Sequence, residues 1–254
     1  MTRTLAIAQN TLREVARERV VLVLALFGLM LLMGSQVLSP LALGEGRKVV
    51  IDFGLAGSSL LATILCVFLG SSLLHKELER RTVYAVLAKP IRREEFLLGK
   101  FLGLWVTAAM LLGGMAVILL AVVTVAYHDT PWQILGAVGL NLVELGIVTA
   151  VVVFFSSFTT PALTAFFAVA ATVAGHFAED LRYFASQGAP GIRAMVEAAY
   201  WMLPHLDLFN ARGLVVHGAS VGVERLLYAF SYGLLYVIGM LILAGTIFRR
   251  REFR

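Results

Sequence analysis

A single cysteine, Cys66, stands among 254 residues, so the chain has neither a disulfide framework nor a thiolate metal cluster. Charge is scarce as well. Asp, Glu, Lys and Arg make up 15% of the chain and hydrophobic residues 59%, with a mean hydropathy of +0.87. Soluble globular domains carry about 25% charged residues, so that class is excluded and the chain reads as a membrane protein. No G-x-x-x-x-G-K-[ST] occurs, since Gly99 and Lys100 lead into Phe101 without the upstream glycine; the chain is not expected to hydrolyse ATP alone. His75, His128, His176, His205 and His217 show no H-E-x-x-H or Cys–His ligand spacing, and no metal site is expected. Met195 and Met202, near His205, read as packing methionines rather than copper ligands. The excess of 21 Lys and Arg over 16 Asp and Glu lies beside apolar runs, where anionic lipid and orientation account for it, and no nucleic-acid partner is implied.

What is present is a series of six apolar stretches: Val20 to Leu38, Phe53 to Leu74, Phe101 to Ala126, Trp132 to Phe155, Pro161 to Ala178, and Leu226 to Phe248. Each reaches the ~20 residues that a helix needs to cross hydrocarbon, with the fifth near the lower limit. The expected fold is all-α, with six transmembrane helices in one membrane domain, residues 1–254, whose connections are too short for a soluble catalytic domain. The first stretch is expected to remain attached, because its leader carries Glu14 and Glu18 and no clean A-x-A site follows. Fifteen Lys and Arg fall before Val20, within 75–100 and after Phe248, against six in the alternate connections. The excess of positive charge on the cytoplasmic side of membrane proteins therefore predicts a multi-pass protein of the cytoplasmic (inner) membrane with both termini inside.

Two flanking segments have helical apolar stripes. In the leader, Leu5, Ala8, Leu12, Val15 and Arg19 share a face, as expected of an amphipathic elbow helix. Between the fifth and sixth stretches, Ile192, Met195, Val196, Ala199, Tyr200 and Leu203 form a second stripe before Pro204, an external segment that caps the bundle. Either stripe suits lipid or the bundle itself.

Between the second and third stretches lies HKELERRTVYAVLAKPIRREEFLLGK, residues 75–100. Glu77 to Ala88 has good helix formers and no glycine, and Pro90 ends the run. Val83, Val86 and Leu87 make a small apolar patch beside Glu77, Glu79, Arg80 and Arg81. Residues alone leave two readings, a basic loop that anchors the topology or a helix that fits a partner's groove. This strip, placed after the second of six spans, resembles the permease subunits of type-2 ATP-binding-cassette (ABC) transporters. The resemblance implies that it is a coupling helix docking into a separate ATPase subunit through Glu77, Glu79, Arg80, Arg81, Thr82, Val83, Val86, Leu87 and Pro90. Many relatives have Glu-Arg/Lys-Gly-Thr where this chain has Glu79-Arg80-Arg81-Thr82, so the local turn is expected to differ. The stretch Y-W-M-L-P-H-L-D-L-F-N-A-R-G-L-V-V-H-G, from Tyr200 to Gly218, is similar to the branch described as involved in multicopper enzyme maturation. The resemblance further implies an exporter rather than an enzyme, with ATP and Mg bound by the partner ATPase and no cofactor in this chain, and with a second permease copy or paralogue completing the assembly. An ion-coupled carrier, the alternative reading, would be expected to place more ionisable groups at membrane depth than the single one found, and an intramembrane enzyme would need paired acids, a nucleophile–base pair or a metal cluster that the stretches lack.

Glu144 is the only Asp, Glu, Lys or Arg inside the six stretches, and lies midway along the fourth. A charged side chain there costs about 2.5–3.5 kcal/mol on insertion scales, so it is expected to face the bundle. Asn141 lies one helical turn earlier on the same face. The pair is expected to form a polar patch with Tyr232 or Tyr236 of the last stretch, or with a second permease. It would serve either the translocation path or dimer seam, or packing alone.

Overall fold

The computed structural model describes residues 8–9, 20–41, 44–79, 93–187 and 190–250. All regular structure among them is helical. In chain order the elements are α1 (Val20–Leu41), α2 (Gly46–Glu79), α3 (Arg93–Tyr127), α4 (Ile134–Ser156), α5 (Pro161–His176), α6 (Ala178–Ser186) and α7 (Pro190–Met202). A 3₁₀ turn (Leu206–Phe209), α8 (Arg212–Val216) and α9 (Val223–Arg250) complete the fold. The leader, apart from helical Ala8 and Gln9, and the strip from Arg80 to Pro90 lie outside the described residues. Glu77 and Glu79 fall in the last turns of α2.

Four helices, α2, α3, α4 and α9, contain unbroken segments long and apolar enough to cross a membrane. The other two expected spans differ in form. α1 is a helix of 22 residues whose apolar run is Leu22–Ser35. The fifth span is broken: α5 ends after 16 residues, and α6 continues from it at an angle of 62°. At the start of α5, Thr160 is extended and Pro161 occupies the first turn, where its fixed φ and missing N–H cost nothing. At ~1.5 Å per residue α5 is about 24 Å long, short of a ~30 Å hydrocarbon core.

The bundle is built around α4. Of its spanning segment 67% is buried, against 17% for α9, so α4 is the central helix and α9 is peripheral. α2, α3, α5 and α9 all pack on α4, while α1 lies on α2 and α3. Phe27 and Leu31 of α1, Ile51 and Leu55 of α2, Met115 and Leu119 of α3, and Ile134 and Leu140 of α4 share one core. Cys66 of α2 meets Thr149 of α4 at 2.9 Å. The Thr149 hydroxyl donates to the Leu145 carbonyl at 2.6 Å, which leaves the thiol as donor to Thr149 Oγ1.

Alternate connections meet at one end of the bundle. Arg47, after α1, pairs with Asp129, after α3, at 2.7 Å, and Gln133 Nε2 donates to the Gly218 carbonyl at 3.5 Å. Gly218 takes φ +77, a left-handed conformation that glycine adopts without strain.

The bend after α5 changes what the connection to α9 does. α6 and α7 form a hairpin held by Arg182, which pairs with Glu197 at 3.0 Å and lies 4.6 Å above the Tyr200 ring. The stripe on α7 is only partly covered: Met195 and Ala199 are exposed, whereas Val196, Tyr200 and Leu203 are half-buried. The residues after Pro204 enter the bundle: Leu206, Phe209, Ala211 and Val215 belong to the main core. They pack on α2, α4 and α5, filling the space that the short α5 leaves. This approach needs Gly175, where a Cβ would stand 2.5 Å from the Pro204 carbonyl oxygen. Gly175→Ala is expected to destabilise the protein by about 1–3 kcal/mol through overpacking. Gly139→Ala, with nothing within 4 Å of the added carbon, should leave thermal unfolding of the purified protein nearly unchanged. Equal melting temperatures for both variants and the wild type would refute the tight approach.

Candidate functional site

A cavity of about 480 Å³ lies among α2, α4, α5 and the segment that follows the 3₁₀ turn. Its walls are mainly apolar, from Leu55, Leu60 and Phe68 on α2 to Val169 and Val173 on α5. The polar lining includes Asn141, Glu144, Thr172, His176, Asn210 and Arg212. Leu60, Ile64 and Phe68, with Val169 and Val173, are exposed, so the cavity opens sideways between α2 and α5.

Asn141 and Glu144 are both buried on α4, one turn apart, and both face this cavity. The partner of Glu144 is His176, the last residue of α5, whose Nε2 lies 3.1 Å from Glu144 Oε1. This corrects the expectation that Tyr232 or Tyr236 would join the patch. A count of Asp, Glu, Lys and Arg passes over His176, although it falls inside the fifth apolar stretch. Tyr232 and Tyr236 are engaged elsewhere. The Tyr232 hydroxyl accepts the His205 backbone N–H at 2.9 Å and donates to His205 Nδ1 at 3.1 Å. The Tyr236 hydroxyl donates to the Met202 carbonyl at 3.3 Å. Both tyrosines thus moor the incoming segment to α9.

The tautomer of His176 follows from geometry. Nδ1 lies 2.9 Å from the Thr172 carbonyl oxygen, which only accepts, so Nδ1 carries the proton. Nε2 then meets the carboxyl group either as part of an imidazolium or as an acceptor from a protonated Glu144. With neither proton present, a lone pair would face a carboxylate in a site where Glu144 is 3% exposed, an arrangement that low-dielectric surroundings penalise strongly. His176 Nε2 and the Glu144 carboxyl group thus form a close polar contact between α4 and α5. The approach is off the line of a straight hydrogen bond, so its energy is chiefly electrostatic.

The far wall is fixed by backbone contacts. Arg225 Nη2 donates to the carbonyls of Leu208 at 3.3 Å and Asn210 at 3.0 Å. Asn210 Oδ1 accepts from the backbone N–H of Arg212 at 3.2 Å and from its Nε at 3.4 Å, which aims the guanidinium. Among the described residues no group of three or more His, Cys, Asp and Glu is arranged to hold a metal.

These observations define a polytopic all-α membrane protein with a laterally open cavity and an ionisable pair in its wall. The description "ABC-2 family transporter protein" matches residues 5–252, nearly the whole chain, and the chain belongs to that family. It is thus a permease subunit of an ABC transporter, a membrane component that works with an ABC ATPase rather than an enzyme. No curated protein matches the chain.

The pair between α4 and α5 is testable by a double-mutant cycle. Glu144→Leu and His176→Leu, singly and together, should show a coupling of about 0.5–3 kcal/mol in unfolding measurements, the double variant being less destabilised than the sum of the single ones. Additive effects would show that the two groups do not act as a unit.

Proposed function

We propose that the cavity bounded by α2, α4 and α5 is part of the path by which a substrate leaves the cell, driven by ATP hydrolysed on a separate ATPase subunit. The observation that carries this reading is the Glu144–His176 pair set in a cavity wall within a membrane bundle. Ionisable side chains at membrane depth are costly and mark substrate or ion paths, and binding sites are apolar cavities with a few placed polar groups. In this reading Asn141 and Glu144 orient the substrate. Two permeases, either copies of this chain or paralogues, complete the assembly in the cytoplasmic membrane with both termini inside.

The strip from Glu77 to Pro90 is the coupling element in the same proposal, on the strength of its resemblance to those of type-2 ABC permeases. Val83, Val86 and Leu87 supply an apolar face for a groove on the ATPase, which binds ATP and Mg. The finer kinship to the multicopper-maturation branch rests on Tyr200–Gly218 alone and names no substrate.

Co-expression with the cognate ATPase and reconstitution into liposomes separates the two parts. Leu87→Asp should insert normally yet lose most ATPase in a pull-down, since an unpaired carboxylate in an apolar contact costs several kcal/mol. Glu144→Gln should retain the ATPase but lose transport-coupled ATP hydrolysis. Wild-type behaviour of both Glu144→Gln and Glu144→Leu would refute the pathway role of Glu144, and an unchanged pull-down for Leu87→Asp would return the strip to a topology anchor.

A further inference from the structure

The ionisable side chains lining the cavity are not all paired with one another. Glu144 and His176 pair with each other, while Arg212 presents a guanidinium at the same wall with no ion pair among the described residues. Asp207, on the same segment but outside the lining, has a buried Oδ1 with no hydrogen-bond partner among the described residues, and the exposed Arg225 reaches the segment's carbonyls from α9. Arg212 is half-buried, and Asn210 holds it only through the backbone N–H and Nε. Its two terminal nitrogens have no protein partner among the described residues, and guanidinium forks of this kind pair with carboxylate or phosphate oxygens.

The rest of the cavity specifies the other half of a ligand. From Leu60 to Phe68, α2 offers an apolar wall about 12 Å long at ~1.5 Å per residue, open on the side facing Val169 and Val173. Arg212 comes from the segment joined to the bundle end that carries Asp129 and Gly218, whereas Phe68 lies some 22 residues along α2 from that end. A molecule with its head at Arg212 and its chain along Leu60, Ile64 and Phe68 has the orientation of an amphiphile in a leaflet. A cationic head would meet Arg212 without compensation. A wholly apolar molecule would bury the Arg212 fork unpaired, a costly outcome.

We propose that the cavity binds an amphiphile with one anionic head group and an apolar chain, the head at Arg212 and the chain between α2 and α5. This names the substrate class of the proposed path and rests on that reading for the consequence of binding, although binding itself is measured apart from it. The ligand chemistry has two sources, an anionic lipid of the bilayer and a free long-chain carboxylate.

The test uses the full chain in phosphatidylcholine nanodiscs with cis-parinarate as a fluorescent carboxylate probe. Saturable binding is expected, with displacement by decanoate or by phosphatidylglycerol and none by decylamine. Displacement by phosphatidylglycerol assigns a lipid source, and displacement by decanoate alone assigns a free amphiphile. Arg212→Gln should weaken probe binding about tenfold, as loss of a charge-assisted hydrogen bond implies, and Arg212→Lys should retain most of it, which guards against a folding defect. Equal displacement by decylamine, or unchanged affinity in Arg212→Gln, overturns the proposal. Addition of the ATPase separates the two readings. Binding that never alters ATP hydrolysis keeps the site but removes the path, whereas loss of coupling in Glu144→Gln without any preference for anions keeps the path but removes this substrate class.

Discussion

A carboxylic acid on the most enclosed helix of a membrane bundle must share a proton or be paired, because no solvent is there to stabilise it. Glu144 meets that constraint through His176, and much of the surrounding architecture follows. His176 is the last residue of α5 and meets Glu144 midway along α4. The helix stops there, and the chain turns at Phe177 into α6. The ring that contacts the acid is itself held by its own helix, since His176 Nδ1–H donates to the Thr172 carbonyl, while the Phe177 backbone N–H closes the helix end on Val173.

Truncation leaves space in the bundle, which non-helical backbone can fill only if its polar groups are satisfied inside the protein. The Pro204–Val216 segment meets this condition by borrowing donors from α9. Tyr232 and Tyr236 hold its start, and Arg225 holds the carbonyls of Leu208 and Asn210. The tyrosines were expected to serve Glu144 and instead serve the backbone that walls the cavity opposite it.

Much of this was legible in the sequence. Hydropathy located the four unbroken spans, because lipid leaves a span few alternatives to unbroken apolar helix, whereas the first and fifth expected spans took other forms. The placement of Asn141 and Glu144 toward one interior face followed from helical spacing. His176 was missed because histidine carries no fixed charge at neutral pH, although a signal was there. Counting from the α4–α5 turn at ~1.5 Å per residue, Glu144 lies about 18 Å along α4 and His176 about 22 Å along α5, at nearly the same depth. The short fifth stretch was the trace of the broken helix. Arg212 was not legible: the run from Leu206 to Arg212 has neither helical nor strand periodicity, and its burial depends on a vacancy created elsewhere in the fold.

The hairpin of α6 and α7 packs chiefly on itself, through Arg182, Glu197 and Tyr200, and is joined to the bundle at its two ends, to α5 at its start and through the Tyr236 bond to Met202 at its close. It is thus an appendage whose size is decoupled from the bundle's packing. Relatives could lengthen, shorten or replace it without disturbing the cavity, and a reporter domain spliced between α6 and α7 should be carried as cargo by a bundle that folds as before.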